Sequence, residues 1–344
     1  VKIPWQTTGR TYVIAEIGNN HNGSPQTVRE LIDALAATGA DAVKFQAFRA
    51  EDIVSPLEPM RDADKWDPER KFAKWIDFAR TLELPVDAYA DLIAHTHAAG
   101  LDFVVTPTSP DIVQALHSLA IDVMKVASMD ITNRPLLEAI ARTRRPAILS
   151  TGMANHAEIE AAIAVLEPDC PDVAVLHCSS VYPLPQKDAN LASIGALRDR
   201  FDRVTGYSDH TRGTAVPVAA AACGARIIEK HVTLDRRCAL PGEHFFSIEP
   251  EEMKKMMARI REVDLWLGTP QADMSPPEWE AALKFRRSLM VNRGLAAGER
   301  INAADICCLR PGTGLSPFEI DRVIGKVAAR GISAYVPLTE ADIK

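Results

Sequence analysis

From Tyr12 onward the chain repeats one rhythm: a short apolar run ending in polar residues, then an alanine-rich amphipathic stretch. The apolar runs fall at residues 13–17, 42–45, 103–105, 123–126, 147–149, 173–176, 204–207 and 227–228. Between them lie helical patterns such as residues 27–37, where Val28, Leu31, Ile32 and Leu35 recur at i, i+3, i+4 and i+7. Glycines able to take positive φ close several of these helices, as at Gly39 and Gly224. Eight such alternations predict a parallel sheet covered by helices. Their number favours a closed (β/α)8 TIM barrel, although an open doubly wound sheet uses the same alternation.

Two stretches break the rhythm. Residues 47–85 form an oversized loop after the second strand, holding Trp66 and a helix expected over residues 67–82 with Phe72, Trp75, Ile76 and Ala79 on one face. A long loop at this end of a barrel is expected to cover an active site. Residues 268–277 are rich in Pro, Gly and polar residues and read as linker. Beyond Arg286 come short strands and turns, at residues 288–291, 294–298 and 327–337, with Arg310-Pro311-Gly312-Thr313-Gly314 between them. The expected organisation is a barrel domain over residues 1–267, a linker over 268–285 and a small β-rich module over 286–344. About sixty residues make a marginal core, so the module should gain from docking on a larger body.

A net charge of −7 disfavours nucleic acid or an anionic membrane as partner. The six cysteines show no CxxC spacing, which fits reduced thiols and a cytoplasmic protein. No apolar stretch reaches the ~20 residues of a membrane span, and no signal segment opens the sequence. Neither a dinucleotide-binding glycine motif nor a P-loop is present, so a nucleotide cofactor is not indicated.

Polar residues gather where the strands should finish: Glu16, Lys44 with Gln46, Thr106, Lys125 with Ser128, Ser150, His177, Ser208 with Asp209 and His210, then Glu229 with His231. Two imidazoles from consecutive parallel strands, with carboxylates nearby, make a divalent metal site. Two lysines among hydroxyls suit a phosphate and a carboxylate held together. The carboxylates Glu16, Asp130, Asp209 and Glu243 can hold water, orient sugar hydroxyls or move protons.

The segments Ala15-Glu16-Ile17-Gly18-Asn19-Asn20-His21-Asn22-Gly23, Val43-Lys44-Phe45-Gln46, Thr106-Pro107 and Lys125-Val126-Ala127-Ser128 closely resemble the sialic acid synthase family. So do Ser150-Thr151-Gly152-Met153, His177-Cys178-Ser179-Ser180-Val181-Tyr182-Pro183, Gly206-Tyr207-Ser208-Asp209-His210-Thr211 and Glu229-Lys230-His231. That family makes N-acetylneuraminate and related nonulosonates from phosphoenolpyruvate and an amino sugar. From about Arg286 the chain resembles the family's antifreeze-like (SAF) domain with its Arg310-Pro311-Gly312 turn. The resemblance implies Mn2+ or Mg2+ on His210 and His231. It implies phosphoenolpyruvate on Lys44, Gln46, Thr106, Lys125, Ser128, Ser150, Ser180, Tyr182 and Ser208. Glu16, Tyr182 and Glu243 would serve the sugar, and Arg310 would reach its N-acyl group across a domain-swapped homodimer. Catalysis would fall to Glu16, Asp130 and Glu243.

The expected reaction condenses phosphoenolpyruvate with an acceptor such as N-acetylmannosamine or a 2,4-diacetamido-6-deoxy hexose, releasing phosphate by C–O cleavage. A Schiff-base aldolase using Lys125 and a non-catalytic sugar-binding homologue are the competing readings. Three positions depart from the family pattern. Gly242-Glu243 stands for Pro-Asp, Ala127-Ser128-Met129-Asp130 for Gly-Ser-Gly-Glu, and Trp75 for a tyrosine. One carboxylate is thus a methylene longer and the other a methylene shorter, which implies altered sugar choice.

Overall fold

In the computed structural model, which describes residues 3–7, 9–61, 66–67, 69–238, 240, 242–269 and 273–344, the eight apolar runs are parallel strands paired in sequence order. They are β1 Tyr12–Gly18, β2 Ala42–Ala47, β3 Asp102–Pro107, β4 Val123–Val126, β5 Ala147–Ser150, β6 Val173–Cys178, β7 Thr205–Asp209 and β8 Ile227–His231. Pairing of β1 with β8 closes the barrel and excludes the open sheet. Seven of the strands outrun their apolar stretch, because the backbone ladder continues through polar residues at the strand ends.

Alternation along each strand sorts these side chains into two sets. Val13, Ala15, Ile17, Val43, Phe45, Phe103 and Val105 join the helices in one large apolar layer, where Phe45 and Phe103 stack at 4.9 Å. Ile14, Ala42, Val104, Val123, Ile148, Ala174, Leu176 and Ile227 pack on one another inside the barrel with Trp5 and Tyr12. The same inward parity, two residues on, brings Glu16, Lys44, Thr106, Lys125, Ser150, Cys178 and Glu229 to the cavity above that plug, and His231 follows two residues beyond Glu229. The amphipathic helix expected at 27–37 spans Pro25–Ala36, started by Ser24, whose side chain accepts the Thr27 N–H.

The loop after β2 differs from its expected form. Its helix covers only Trp75–Arg80 rather than residues 67–82, of which residue 68 lies outside the described residues. The Asp67 carboxylate accepts the Phe72 N–H at 2.8 Å, Arg70 takes a φ of 52°, and Lys74 bridges to Pro59. Those local turns hold the backbone out of the helix, although Phe72 and Trp75 still pack against Phe48, Ile76, Phe78, Ala79 and Leu82.

The chain divides into two compact units, residues 1–268 and 269–344. Within the span read as linker, Pro276–Phe285 is a helix begun by a Ser275–Glu278 capping box, and it groups with the second unit. That unit pairs Ser288–Val291 (β9) antiparallel with Ile306–Leu309 (β10). Residues 294–298 and 327–337 contribute isolated bridges rather than strands. Leu289, Val291, Leu295, Ile301, Leu315, Val323, Ala328, Ile332 and Leu338 give it a core of its own. No helix among the described residues is long and apolar enough to cross a membrane.

Candidate active site

A cavity of about 310 Å³ opens at the carboxyl ends of the barrel strands. Of the sequence-predicted site residues in residues 1–268, all line it except Asp130, His177 and Asp209. At its floor two buried lysines share the carboxylate of Glu229. Lys44 Nζ lies 3.7 Å from Glu229 Oε1 and 3.0 Å from Glu16 Oε2, and Lys125 Nζ lies 3.9 Å from Glu229 Oε2. Lys44 also donates to Thr106 Oγ1 at 3.0 Å, and Lys125 to Ser150 Oγ at 2.6 Å. Ser208 donates to Glu229 at 2.9 Å.

These neighbours separate the carboxyls. Burial opposes ionisation of Glu229, but Lys125, Lys44 and His231 outweigh it and hold the group at about 2. Burial dominates at Glu16 and raises it despite Lys44. At Glu243 burial is outweighed by His231, His210 and Lys44, and its pKa is lowered. Burial lowers Lys125, while Lys44 is raised because Glu16 and Glu229 overcome its burial.

Ser128, Ser180 and Gly152 form a second feature of the wall. The Gly152 N–H donates to Ser128 Oγ at 3.1 Å. A Cβ at position 152 would lie 2.4 Å from Ser180 Oγ and 2.8 Å from Ser128 Oγ, so only glycine lets both hydroxyls approach. Ser180 Oγ is buried without a hydrogen-bond partner. Hydroxyl donors gathered beside two ammonium groups are suited to anionic oxygens.

Across the cavity the rings of His210 and His231 lie 5.3 Å apart, with Tyr182 4.2 Å from His210. His210 Nδ1 donates to the Ser179 carbonyl at 2.9 Å, leaving Nε2 as its free nitrogen. Burial opposes charge on His210, yet its contacts with Cys178 and Ser179 raise its pKa. His231 Nδ1 sits 3.1 Å from Glu243 Oε2, and neither atom makes a hydrogen bond although both are buried. Such orphaned polar atoms beside a second imidazole fit a divalent cation. No cluster of three or more His, Cys, Asp or Glu side chains suited to a metal occurs among the described residues. Two imidazoles would therefore leave positions for water and substrate oxygens, as hard divalent ions accept.

The loop after β1 fixes Glu243. Asn20 Oδ1 accepts the Glu243 N–H at 2.8 Å, while its Nδ2 donates to Val232 O at 2.8 Å and Ser247 Oγ at 3.0 Å. Ser247 returns its proton to the Glu243 carbonyl at 2.7 Å. One amide thus pins the chain beside both His231 and Glu243. Trp66 closes the side of the cavity, edge-on to Tyr182 at 6.1 Å and Phe245 at 5.6 Å.

Three expectations need correction, those for Asp130, Asp209 and His177. Asp130 does not line the cavity: its Oδ1 accepts from Asn133 at 3.0 Å and burial raises its pKa. Asp209 and His177 have the outward parity and face the helices, Asp209 against Lys230 and His177 against the Ala189 carbonyl. Arg310 belongs to the second unit, where its guanidinium lies 5.3 Å from the Phe285 ring centre. The sequence places Glu229 at a strand end without a role, and strand parity is the signal that points it into the cavity. Asn20 and Gly152 carried no such signal, because their partners are distant in sequence.

A closed barrel with lysines and hydroxyls facing two histidines at the carboxyl ends of its strands places this cavity where barrel enzymes keep their sites. The sequence model of the NeuB family matches residues 31–272, and that of the SAF domain matches residues 286–344. The chain belongs to the NeuB family and carries a SAF domain. It is 36% identical over 333 residues to N,N'-diacetyllegionaminic acid synthase of Legionella pneumophila, covering 95% of this chain and 93% of that protein. It is 38% identical over 317 residues to an uncharacterized protein of Methanocaldococcus jannaschii, covering 92% and 89%. The crystal structure of N-acetylneuraminic acid synthetase from Leptospira borgpetersenii, in complex with citrate, superposes with a TM-score of 0.71 at 31% identity, covering 79% of this chain and 90% of that one.

Proposed function

We propose that the protein is a nonulosonic acid synthase that joins phosphoenolpyruvate to an open-chain N-acylated amino sugar. The observation that carries this reading is the arrangement of Lys44, Lys125 and the Ser128–Gly152–Ser180 cradle opposite the imidazole pair in a single cavity. Lys44 and Lys125 neutralise the phosphate and carboxylate, and the hydroxyls of Thr106, Ser128, Ser150, Ser180 and Ser208 orient them. Gln46 and Tyr182 border the same donor. His210 and His231 would hold a divalent cation, Mn2+ or Mg2+, which would supply Lewis acidity toward the sugar aldehyde.

The methylene carbon of phosphoenolpyruvate bonds to the aldehyde carbon, whose oxygen takes a proton and becomes a hydroxyl. Water adds to C2, and the C2–O bond then breaks, so phosphate departs with the bridging oxygen. Glu243, held ionised, orients and deprotonates the water, while Glu16, raised by burial, is the carboxyl suited to carry a proton to the sugar oxygen. The acceptor is N-acetylmannosamine or a 2,4-diacetamido-6-deoxy hexose. We place the enzyme in the cytoplasm, where its free thiols persist reduced.

The test is turnover with phosphoenolpyruvate carrying 18O at the bridging oxygen. Label is expected in phosphate, and label retained in the keto acid rules out the reaction. The lowered pKa of Lys125 favours one rival, a Schiff-base aldolase. Borohydride with substrate should trap no adduct, and an adduct on Lys125 would establish that rival. Arg310 of a second copy completes the sugar site in a domain-swapped homodimer. Mixing inactive Lys125→Met and Arg310→Ala chains should then restore activity, and no restoration would argue against the swap.

A further inference from the structure

Each histidine of the pair is preceded by a charge of opposite sign, Asp209 before His210 and Lys230 before His231. By strand alternation neither faces the cavity, and both side chains are fully buried at 0% exposure. Asp209 and Lys230 form the last paired rung between β7 and β8. Lys230 Nζ donates to Asp209 Oδ2 at 2.6 Å and also to the Thr211 carbonyl. The Asp209 carboxylate accepts the Thr211 N–H and hydroxyl, each at 3.1 Å. One ammonium and one carboxylate therefore grip the backbone carbonyl and N–H of Thr211, the residue after His210, just past the point where the β-ladder ends.

A buried ion pair is a poor device for stability, because apolar side chains of similar volume often stabilise as well or better. Ionic geometry does offer fixed placement. We propose that Asp209 and Lys230 are positioning residues for the imidazole pair: they hold the turn at residues 209–211 so that His210 keeps Nδ1 on the Ser179 carbonyl and Nε2 free to ligate. The inference rests on the reading that His210 and His231 hold a divalent cation. It concerns side chains that touch neither substrate nor metal.

The experiment uses the full-length protein and the paired substitution Asp209→Asn with Lys230→Met, which removes both buried charges together. Mn2+ binding is titrated by electron paramagnetic resonance without substrates, and the His210 tautomer is read from ring 15N shifts in the metal-free protein. The paired variant should fold with a melting temperature near that of the unaltered chain. Its Mn2+ dissociation constant should rise roughly 10- to 100-fold, as for other residues that orient metal ligands. The Nδ1–H signature of His210 should weaken, while KM for phosphoenolpyruvate stays within about 3-fold, since the lysine cradle is untouched. Unchanged Mn2+ affinity together with an unchanged tautomer would overturn the inference.

Should the paired variant not fold, Thr211→Val removes only the hydroxyl held by Asp209. It is expected to shift the His210 ring signals, and identical spectra would count against the proposal. Failure of the unaltered protein to bind Mn2+ would sink the metal reading itself, while the tautomer comparison would still decide whether the pair positions His210.

Discussion

Replacing Gly18 with alanine should separate catalysis from stability at one atom's resolution. Gly18 ends β1 with a φ of +55°, and a Cβ there would lie 2.3 Å from Glu243 Oε2. It would also approach Glu16 Oε1 at 3.3 Å and Gln46 Nε2 at 3.4 Å. Left-handed backbone costs a non-glycine residue ~1–2 kcal/mol. The clash adds little to that cost, because the atom to be moved is the far end of a flexible side chain. Yet the Glu243 carboxylate must retreat by about 0.7 Å to restore a separation of 3.0 Å. A displacement near 1 Å in a reacting constellation can cost ~100-fold in rate.

Gly18→Ala should therefore lower kcat on the order of 100-fold while shifting the melting temperature by only a few degrees. The control is Gly39→Ala. Gly39 has a φ of +84° and nothing within 4 Å of its Cβ, so it meets the backbone cost alone. Both variants are followed by phosphate release at saturating phosphoenolpyruvate and amino sugar, with melting monitored in parallel. If Gly18→Ala keeps kcat within about 3-fold, or Gly39→Ala loses as much rate, the placement of Glu243 is not what limits turnover.

Asn20→Ala strips three buried hydrogen bonds from the loop that carries Glu243, so unfolding free energy should drop ~3 kcal/mol. Its kcat should fall at least about 10-fold with KM for phosphoenolpyruvate nearly unchanged, and a purely KM effect would contradict the assignment. Glu229 sits at about 2 in the folded chain, below the ~4.3 of an unfolded glutamate. Its contribution, on the order of 3 kcal/mol, is present in full above pH ~4.3 and lost as pH falls through about 2. Urea unfolding at pH 5 and pH 3 should show a smaller loss in Glu229→Gln than in the unaltered chain, and equal losses would deny Glu229 that role. Chelation should abolish phosphate release, with Mn2+ or Mg2+ restoring it. Full activity after exhaustive chelation would remove the cation from the mechanism.

The strand–helix rhythm was enough to specify a barrel, since each apolar run must be covered and eight of them close without an edge. The ordered motifs at the strand ends were enough to specify the family. Boundaries were less legible: a strand whose tip enters a polar cavity stops looking apolar before its ladder ends, as at Ile227–His231. The helix expected over residues 67–82 is confined to Trp75–Arg80 because turns at Asp67 and Arg70 break a pattern that periodicity alone would continue.

What the amino-acid order determined by itself was the set of chemical groups available, because hydrophobic patterning is local and repeats with the backbone. Which of those groups meet was settled only by closure of the sheet. Strand parity sends Glu229 and His231 inward but Lys230 outward, and leaves Asp209 and His177 among the helices. Asn20 reaches Glu243 across 223 positions of sequence. Gly18 leaves room for a carboxylate that enters from the far end of the barrel domain. Contacts of that range depend on the path of the whole chain, so no window of neighbouring residues encodes them.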